Sequence, residues 1–308
     1  MALRAAAQRL KSLTGPYGRN FCFQEVDGGD RRIAGAPALT RVRSQGPPMR
    51  RLILEEPVSR AAVWSGRAAV FALATAGVAV ALSRFGGTAA AAPALTIFGA
   101  ALALAFFAVL LAGAAAVVIW RTGRRGADQA ALGLGLSLAL LAYPAYLTIT
   151  ALPLPAIADV TTDLVSPPSF MISAKARAAR AGVATPRRTA EIDALQKAAY
   201  PEVQPILVDL EPAQAYQLAL RVVEDLGWRV VDANPPNLRV DGVAQIQALD
   251  RSPLFGFVDD IAIRIRPLAS QTRIDIRSVS RVGRHDFGAN ARRIDRFAAA
   301  AQESTQAP

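Results

Sequence analysis

The sequence contains a single cysteine, Cys22, and a single histidine, His285. One cysteine cannot form a disulfide within the chain, so the fold must be stabilised by its packed core. Zinc and haem sites are usually built from several Cys or His side chains, and this sequence has no such cluster. We therefore predict no metal site and no cofactor.

Acidic residues, lysine and histidine are missing from three long apolar segments, at about 61–83, 93–120 and 130–152. Each segment is predicted to span a membrane. Proton relays and ion paths normally need intramembrane ionisable groups, so an anchor is favoured over a transporter. The first segment includes Arg67, which we expect to extend to the lipid headgroups; the alternative is a buried functional arginine.

The whole chain has a net charge of +11, and nearly all of this net positive charge comes from residues 1–152, where acidic side chains are few. Residues 153–308 carry 19 basic and 18 acidic side chains and are nearly neutral. A nucleic-acid-binding domain would concentrate positive charge on its own surface. We therefore exclude nucleic acid as a partner and assign the basic residues to membrane topology.

Arginines set the predicted orientation in the membrane. They occur before the first span (Arg50, Arg51, Arg60, Arg67) and between the second and third spans (Arg121, Arg124, Arg125). Only Arg84 lies between the first two spans, and the next basic residue after the third span is Lys175. Positive loops stay in the cytoplasm, so the amino terminus is predicted inside and the carboxy-terminal domain outside.

Small residues are abundant in the apolar segments, including Gly99, Gly113, Gly133 and Gly135. Small residues allow helices to approach closely in a bilayer. We predict the lipid bilayer as one partner and a homo-oligomer formed through these small-residue helix faces as another.

Two segments lack sustained hydrophobic periodicity. Residues 1–48 are predicted to be disordered, and we hypothesise that Met49 is the native initiator and that the preceding segment is a start-site artefact. Residues 153–200 contain Pro153, Pro155 and Pro167-Pro168 and are predicted to be a linker with one helical stretch near 190–199.

Residues 201–302 are predicted to form a two-layer α+β domain with a mainly antiparallel sheet and two flanking helices. Short strands are expected at 206–210, 228–232 and 238–248, and a hairpin at about 261–277. The helices are expected from Pro212 to Leu226 and at 287–301. One face of the hairpin is charged, and we predict it to be solvated or to face a partner; it carries Arg264, Arg266, Arg273, Asp275 and Arg277.

The densest polar cluster lies between the last strand and the last helix, at residues 278–290. This cluster and several motifs resemble the Domain of Unknown Function 1499 family over about 159–297; the motifs are Thr161-Thr162-Asp163, Pro167-Pro168-Ser169-Phe170, Ala199-Tyr200-Pro201, Gly227-Trp228, Phe255-Gly256-Phe257-Val258-Asp259-Asp260, Ser280-Arg281-Val282-Gly283 and Asp286-Phe287-Gly288-Ala289-Asn290. The resemblance implies a protein of the bacterial envelope, placed by its spans in the inner membrane, and implies no reaction or catalytic residues.

Candidate binding residues come from this cluster and from the strand that precedes it. They are Asp259, Asp260, Arg281, Arg284, His285, Asp286, Asn290 and Arg293. One interpretation is structural: Asp286 caps the last helix, and Arg281 pairs with Asp259 or Asp260. The other is an anion site, in which Arg281 and Arg284, with Arg292 or Arg293, hold a phosphate or carboxylate near a helix amino terminus.

Catalysis is the third interpretation, with Asp259 and Asp260 as acid and base and His285 and Asp286 as a proton shuttle. Adjacent strand residues point to opposite faces, however, so Asp259 and Asp260 cannot form one carboxylate pair. We assign no catalytic residue. The sequence therefore predicts a membrane-anchored periplasmic module that binds or scaffolds a component of the cell envelope, either an envelope protein or an anionic ligand. An anion- or lipid-headgroup-binding protein is the first alternative and a hydrolase the second.

Overall fold

Three long helices precede a sheet domain in the computed structural model, which describes residues 57–180, 182–184, 187–237 and 242–306. The helices are α1 (Arg60–Phe85), α2 (Ala91–Thr122) and α3 (Ala127–Ala151). All three are long and apolar enough to cross a membrane. The expectation for residues 1–48, including the hypothesis on Met49, concerns residues outside the described part.

The helices of the bundle contact one another through small residues. Their buried positions are mainly alanine, together with Ser65, Ser83, Ser137 and Gly133. The Ser65 hydroxyl of α1 donates to the carbonyl oxygen of Ala108 in α2, at 3.0 Å. A Cβ atom at Gly133 would lie 2.2 Å from the Ser65 Oγ, so Gly133 is where α3 approaches α1. The helices therefore pack through close contact of their backbones at small residues, rather than through large interlocking side chains.

The sheet domain lies at the end of the bundle where α1 finishes and α2 begins. The Ser83 hydroxyl donates to the carbonyl oxygen of Phe255 at 2.7 Å, and the Arg84 Nε donates to that of Leu254 at 2.9 Å. The rings of Phe98 and Phe255 meet edge to face, with centroids 4.9 Å apart. At the other end of the bundle, the Ser59 amide donates to the carbonyl oxygen of Arg125.

Six antiparallel strands form one sheet in the described part of the chain. They are β1 (Asp159–Thr161), β2 (Ile206–Val208), β3 (Arg229–Asn234), β4 (Ala244–Arg251), β5 (Val258–Pro267) and β6 (Thr272–Ser280). The strand order is β1-β6-β5-β4-β3, and β2 pairs with another stretch of the same β6 edge. Ile263 pairs with Ile276, which places the isoleucines of the β5–β6 hairpin on one face.

Helices α6 (Pro212–Asp225) and α7 (Ala289–Gln306) cover that face. Helix α6 starts with a capping box between Glu211 and Gln214, and the chain leaves it at Gly227 with a φ of 71°. The core joins the two layers and includes Leu218, Val222, Ile261, Ile263, Ile265, Ile274, Ile276, Ile294 and Phe297. The predicted antiparallel α+β layout with flanking helices is confirmed.

The charged face of the hairpin is covered by another segment of the same chain, which corrects the expectation that it is solvated or faces a partner. Asp275 is fully buried, and Arg277 is only 8% exposed. The segment at 153–200 supplies the cover: it contributes β1 to the sheet, and it contains α4 (Ala174–Arg180) and α5 (Ala190–Ala199). The predicted linker is therefore built into the domain. Two carboxylates of this segment, Asp159 and Asp163, pair with the arginines of the hairpin face. The sequence did not reveal these pairs, because the partners are far apart along the chain.

Several predicted boundaries move in the structure. Strand β4 begins at Ala244, whereas the expected strand began at residue 238, and residues 238–241 are outside the described part. Helix α7 begins at Ala289 rather than at 287. The reason is that Phe287 and Gly288 both have positive φ, 54° and 76°, and form the turn that precedes the helix.

Candidate functional site

Part of the predicted cluster holds the chain that emerges from α3. The Asp286 amide donates to the carbonyl oxygen of Ile157 at 3.1 Å. Ala158 accepts two hydrogen bonds, from the Ser280 amide at 2.9 Å and from the Asn290 Nδ2 at 3.2 Å. These contacts fix residues 157–158 beside the last strand, close to the end of the third long helix.

Asp286 also organises the start of α7. Its carboxylate accepts hydrogen bonds from the amides of Gly288 at 2.8 Å and Asn290 at 2.9 Å. A carboxylate in this position satisfies amide groups that have no partner within the helix. Gly288 has a φ of 76°, a conformation that favours glycine, and its Cα lies beside the ends of the Leu154 and Arg292 side chains.

Arg293 is buried on the helix-covered side of the sheet. Its guanidinium donates to Asp259 at 2.5 Å, to Asp250 at 2.7 Å, to Asn290 at 2.7 Å and to Ser278 at 2.9 Å. Burial raises the pKa of Asp259, and the positive charge of Arg293 opposes this rise. With its donors engaged in this way, Arg293 stabilises the junction between α7 and the sheet.

Asp260 lies on the opposite side of the sheet from Asp259. Its carboxylate accepts a two-point hydrogen bond from Arg281, at 2.9 Å and 2.8 Å. Arg281 also donates to the carbonyl oxygen of Ala179 and so ties α4 to the end of β6. The Nε of Arg180 approaches the same carboxylate at 3.9 Å.

The last two predicted site residues are more accessible. Arg284 is exposed, and His285 is half-buried. The Nδ1 of His285 accepts a hydrogen bond from the Phe287 amide at 2.9 Å, and the two rings lie 4.9 Å apart. The structure therefore divides the predicted residues: Asp259, Asn290 and Arg293 join α7 to the sheet, whereas Asp260, Arg281 and Arg284 line a cleft on the other side.

Asp163 is the centre of a second ionic network on the charged face. Its carboxylate contacts three arginines at 3.0–3.2 Å, namely Arg264, Arg266 and Arg273. Asp275 pairs with the same three arginines. Burial by itself raises the pKa of Asp163, but hydrogen bonds from the Ser166 and Val165 amides and the arginine charges outweigh it and hold the pKa below its usual value.

We call the cleft on this side of the sheet the arginine cleft; it has a volume of about 470 Å³. Its charged wall contains Arg180, Arg281 and Arg284 together with Asp159, Asp260 and Glu191. Its apolar wall contains Ile157, Val183, Ile192, Leu195 and Val279. The cleft lies between the segment that leaves α3, the start of α5 and the end of β6, so it combines fixed charges with an apolar surface.

Sequence reasoning missed Arg180 and Asp159 as residues of this cleft. Asp159 accepts hydrogen bonds from Arg277 at 2.7 Å and 3.1 Å and from Arg188 at 3.0 Å. Arg180 belongs to a short helix made of alanine and basic residues, a composition typical of a solvated surface. The one available signal was the family resemblance, which already extended to the segment before residue 200.

In the described part of the chain, no group of three or more His, Cys, Asp or Glu side chains is placed to hold a metal ion. The chemistry that the cleft offers is ionic and apolar contact: guanidinium groups fixed at one wall, and aliphatic side chains at the other.

Within residues 57–306, three helices long and apolar enough to cross a membrane and an antiparallel α+β domain indicate a membrane-associated protein. The family model described as "Protein of unknown function (DUF1499)" matches residues 159–300. This match confirms the resemblance seen in the sequence, and it starts at β1, the strand that the linker prediction had left outside the domain. A search of curated proteins finds no match to the chain.

Proposed function

We propose that this protein is a membrane-anchored binding module of the bacterial envelope, which takes its ligand in the arginine cleft outside the cytoplasm. The single observation that carries the proposal is the cleft itself. Its volume of about 470 Å³ lies within the roughly 300–1,000 Å³ of ordinary ligand pockets. Its mixed walls suit recognition of a ligand with both a charged and an apolar part.

The position of the cleft supports a role at the membrane surface. Ala156 lines the cleft and is five residues beyond Ala151, where α3 ends. Five extended residues span at most about 18 Å, so the cleft is within that chain length of the helix end. The domain contacts the end of the bundle that carries Arg84, whereas Arg121, Arg124 and Arg125 belong to the connection at the other end. This arginine distribution supports an extracytoplasmic domain.

The geometry favours binding over hydrolysis. Asp259 and Asp260 lie on opposite sides of the sheet, and each accepts short hydrogen bonds from an arginine. Two carboxylates on opposite sides of the sheet share no substrate atom, so they do not form an acid–base pair. An envelope protein that inserts a side chain into the cleft and a small amphiphile are both compatible with a binding module.

In-cell photo-crosslinking tests the proposal. A photoreactive amino acid is placed at Leu195, an exposed residue of the cleft wall, or at Gln217, an exposed residue of α6 outside the cleft. We expect an adduct of defined mass at position 195 and none of that mass at position 217. Equal labelling at the two positions, or the absence of any adduct at 195, would contradict a binding role for the cleft.

A further inference from the structure

We propose that the arginine cleft binds an anionic group, a phosphoryl or carboxylate, at Arg180. The inference rests on the proposed binding function and names the chemistry of the ligand. The arginine-rich wall and the apolar wall together select an amphiphilic anion, whose charged group contacts Arg180 and whose apolar part lies against Ile157 and Leu195.

Arg180 is buried and has unused hydrogen-bonding capacity. The residue is 8% exposed, and its guanidinium lies 4.5 Å from the centre of the Phe170 ring, which holds it in place. Among the described residues its side chain donates no hydrogen bond, and its one ion pair, with Asp260, is long at 3.9 Å. A guanidinium has five N–H donors, and leaving them unpaired when buried is costly.

The charges around Arg180 leave a local surplus of one positive charge. Arg281 already binds both oxygens of Asp260, so two guanidinium groups share one carboxylate. The neighbouring Asp159 is matched separately, because it pairs with Arg277 and with Arg188, and Arg188 also binds Asp193. At the rim, the exposed charges of Arg284 and Glu191 offset each other.

The electrostatic environment of Arg180 agrees with this count. Burial lowers the pKa of its guanidinium; Asp260 opposes that effect, and Arg281 and Arg277 add to it. An anion in the cleft would contribute the missing negative charge and accept the free N–H groups. Planar two-point hydrogen bonding to a carboxylate or phosphoryl group is the contact that arginine makes best.

Two sources can supply this chemistry: the headgroup of an anionic lipid, and a free anion. The experiment uses purified full-length protein in phosphatidylcholine nanodiscs and measures binding of inorganic phosphate and of acetate by calorimetry at constant ionic strength. A second arm compares thermal midpoints in phosphatidylglycerol and phosphatidylcholine nanodiscs. The variants are Arg180→Gln and, as the matched control from the same helix, Arg177→Gln, which is exposed and does not line the cleft.

We expect binding in at least one arm for the wild type and for Arg177→Gln. We expect the affinity to fall about tenfold or more in Arg180→Gln, as for loss of a charged hydrogen bond. Phosphate or acetate binding with no lipid effect assigns a free anion, and a lipid effect alone assigns a headgroup. Leu195→Glu, an exposed substitution that adds a competing carboxylate, should weaken binding as well, whereas Leu207→Glu outside the cleft should not.

The inference is overturned if neither arm detects binding, or if Arg180→Gln binds as the wild type does. If Arg180→Gln misfolds, the comparison of Leu195→Glu with Leu207→Glu decides in its place. The failure of this inference is distinguishable from that of the proposed function. A crosslinked adduct at position 195 that persists in Arg180→Gln would refute the anion and leave the binding module intact.

Discussion

At the scale of single residues, the domain is unusual because its arginine–aspartate networks are buried. Asp275 has no exposed surface and accepts hydrogen bonds from Arg264, Arg266 and Arg273. Buried ion pairs contribute little net stability compared with apolar packing, but removal of one partner leaves an uncompensated charge and costs about 3–5 kcal/mol. These pairs therefore fix the position of the covering segment more than they increase stability.

The contribution of Asp163 to the stability of the fold is expected to depend on pH. Its pKa is lowered in the folded protein, so its stabilising contribution is present above the unfolded pKa of about 3.9 and is lost as the pH falls through the folded value. We expect Asp163→Asn to lower the thermal midpoint near neutral pH. The difference from wild type should shrink as the pH is lowered below about 4.

Thermal unfolding in detergent between about pH 3 and 7 measures this effect. Asp225→Asn, at an exposed position at the end of α6, is the control and should follow the wild-type curve at every pH. A difference between Asp163→Asn and wild type that does not change with pH would show that the carboxylate charge has no part in the network.

At the scale of elements, packing of the three helices depends on Gly133 far more than on the nearby Gly135. A Cβ at Gly133 would lie 2.2 Å from the Ser65 Oγ and 2.9 Å from the Gly66 amide nitrogen, whereas nothing lies within 4 Å of a Cβ at Gly135. We expect Gly133→Leu to separate α3 from α1 and to destabilise the bundle by about 1–3 kcal/mol or more.

The matched change Gly135→Leu should leave the thermal midpoint near that of the wild type. Thermal unfolding of both variants in the same detergent provides the comparison. If the two variants were equally stable, α3 would not pack on α1 at Gly133, and this face would be free for the predicted self-association instead.

The joint between membrane bundle and sheet domain gives a second element-scale prediction. A Cβ at Gly256 would lie 3.3 Å from the Cγ and 3.9 Å from the Cα of Arg84, so the two positions are close neighbours. We therefore expect cysteines at these positions to be able to form a disulfide. With Cys22 replaced by serine, Arg84→Cys with Gly256→Cys should oxidise readily within the chain and lose maleimide labelling. Gly256 has a φ of 67°, so the substitution costs about 1 kcal/mol.

The control pair is Arg121→Cys with Gly256→Cys, because Arg121 is in the last turn of α2, at the other end of the bundle. We expect this pair to remain reduced and fully labelled under the same mild oxidation. Equal protection of the two pairs, or full labelling of both, would contradict the contact between the β4–β5 turn and the α1–α2 connection.

The elements that the sequence predicted well are those with a regular hydrophobic period. Helix α6 has its apolar stripe and its Pro212 start, and the β5–β6 hairpin alternates strictly, so both are recognisable locally. Strand β1 is three residues long, too short to show a period. The charged hairpin face looked solvated because its partners, Asp159 and Asp163, come from a segment about a hundred residues earlier in the chain.

The candidate site shows the same limit. The structural interpretation paired Arg281 with either Asp259 or Asp260, and in the structure its partner is Asp260. Arg180 could not be found in this way, since its burial depends on tertiary contacts with the Phe170 ring and with Asp260 on the sheet, which no helix or strand period reveals. Local sequence patterns identify the strands. The cleft forms only when the segment at 153–200 packs on the sheet, and local patterns do not predict that packing.

At the scale of the whole molecule, the sheet domain lies at one end of the helix bundle and is held there by two sets of contacts. Residues 154–158 leave α3 and are bound at once by the start of α7, while Ser83 and Arg84 hold the β4–β5 turn. The sheet domain is thus attached to the helix bundle at two places, and the arginine cleft is held near the end of α3. A tethered but freely moving domain would need neither set of contacts.

The central claim is that this cleft faces the extracytoplasmic side, and thiol labelling of spheroplasts tests it most directly. Single cysteines are placed at Leu207 in the sheet domain and at Arg124 between α2 and α3, with Cys22 replaced by serine. A membrane-impermeant maleimide should label position 207 in intact spheroplasts and label position 124 only after lysis. Labelling of 124 in intact spheroplasts with protection of 207 would contradict the account.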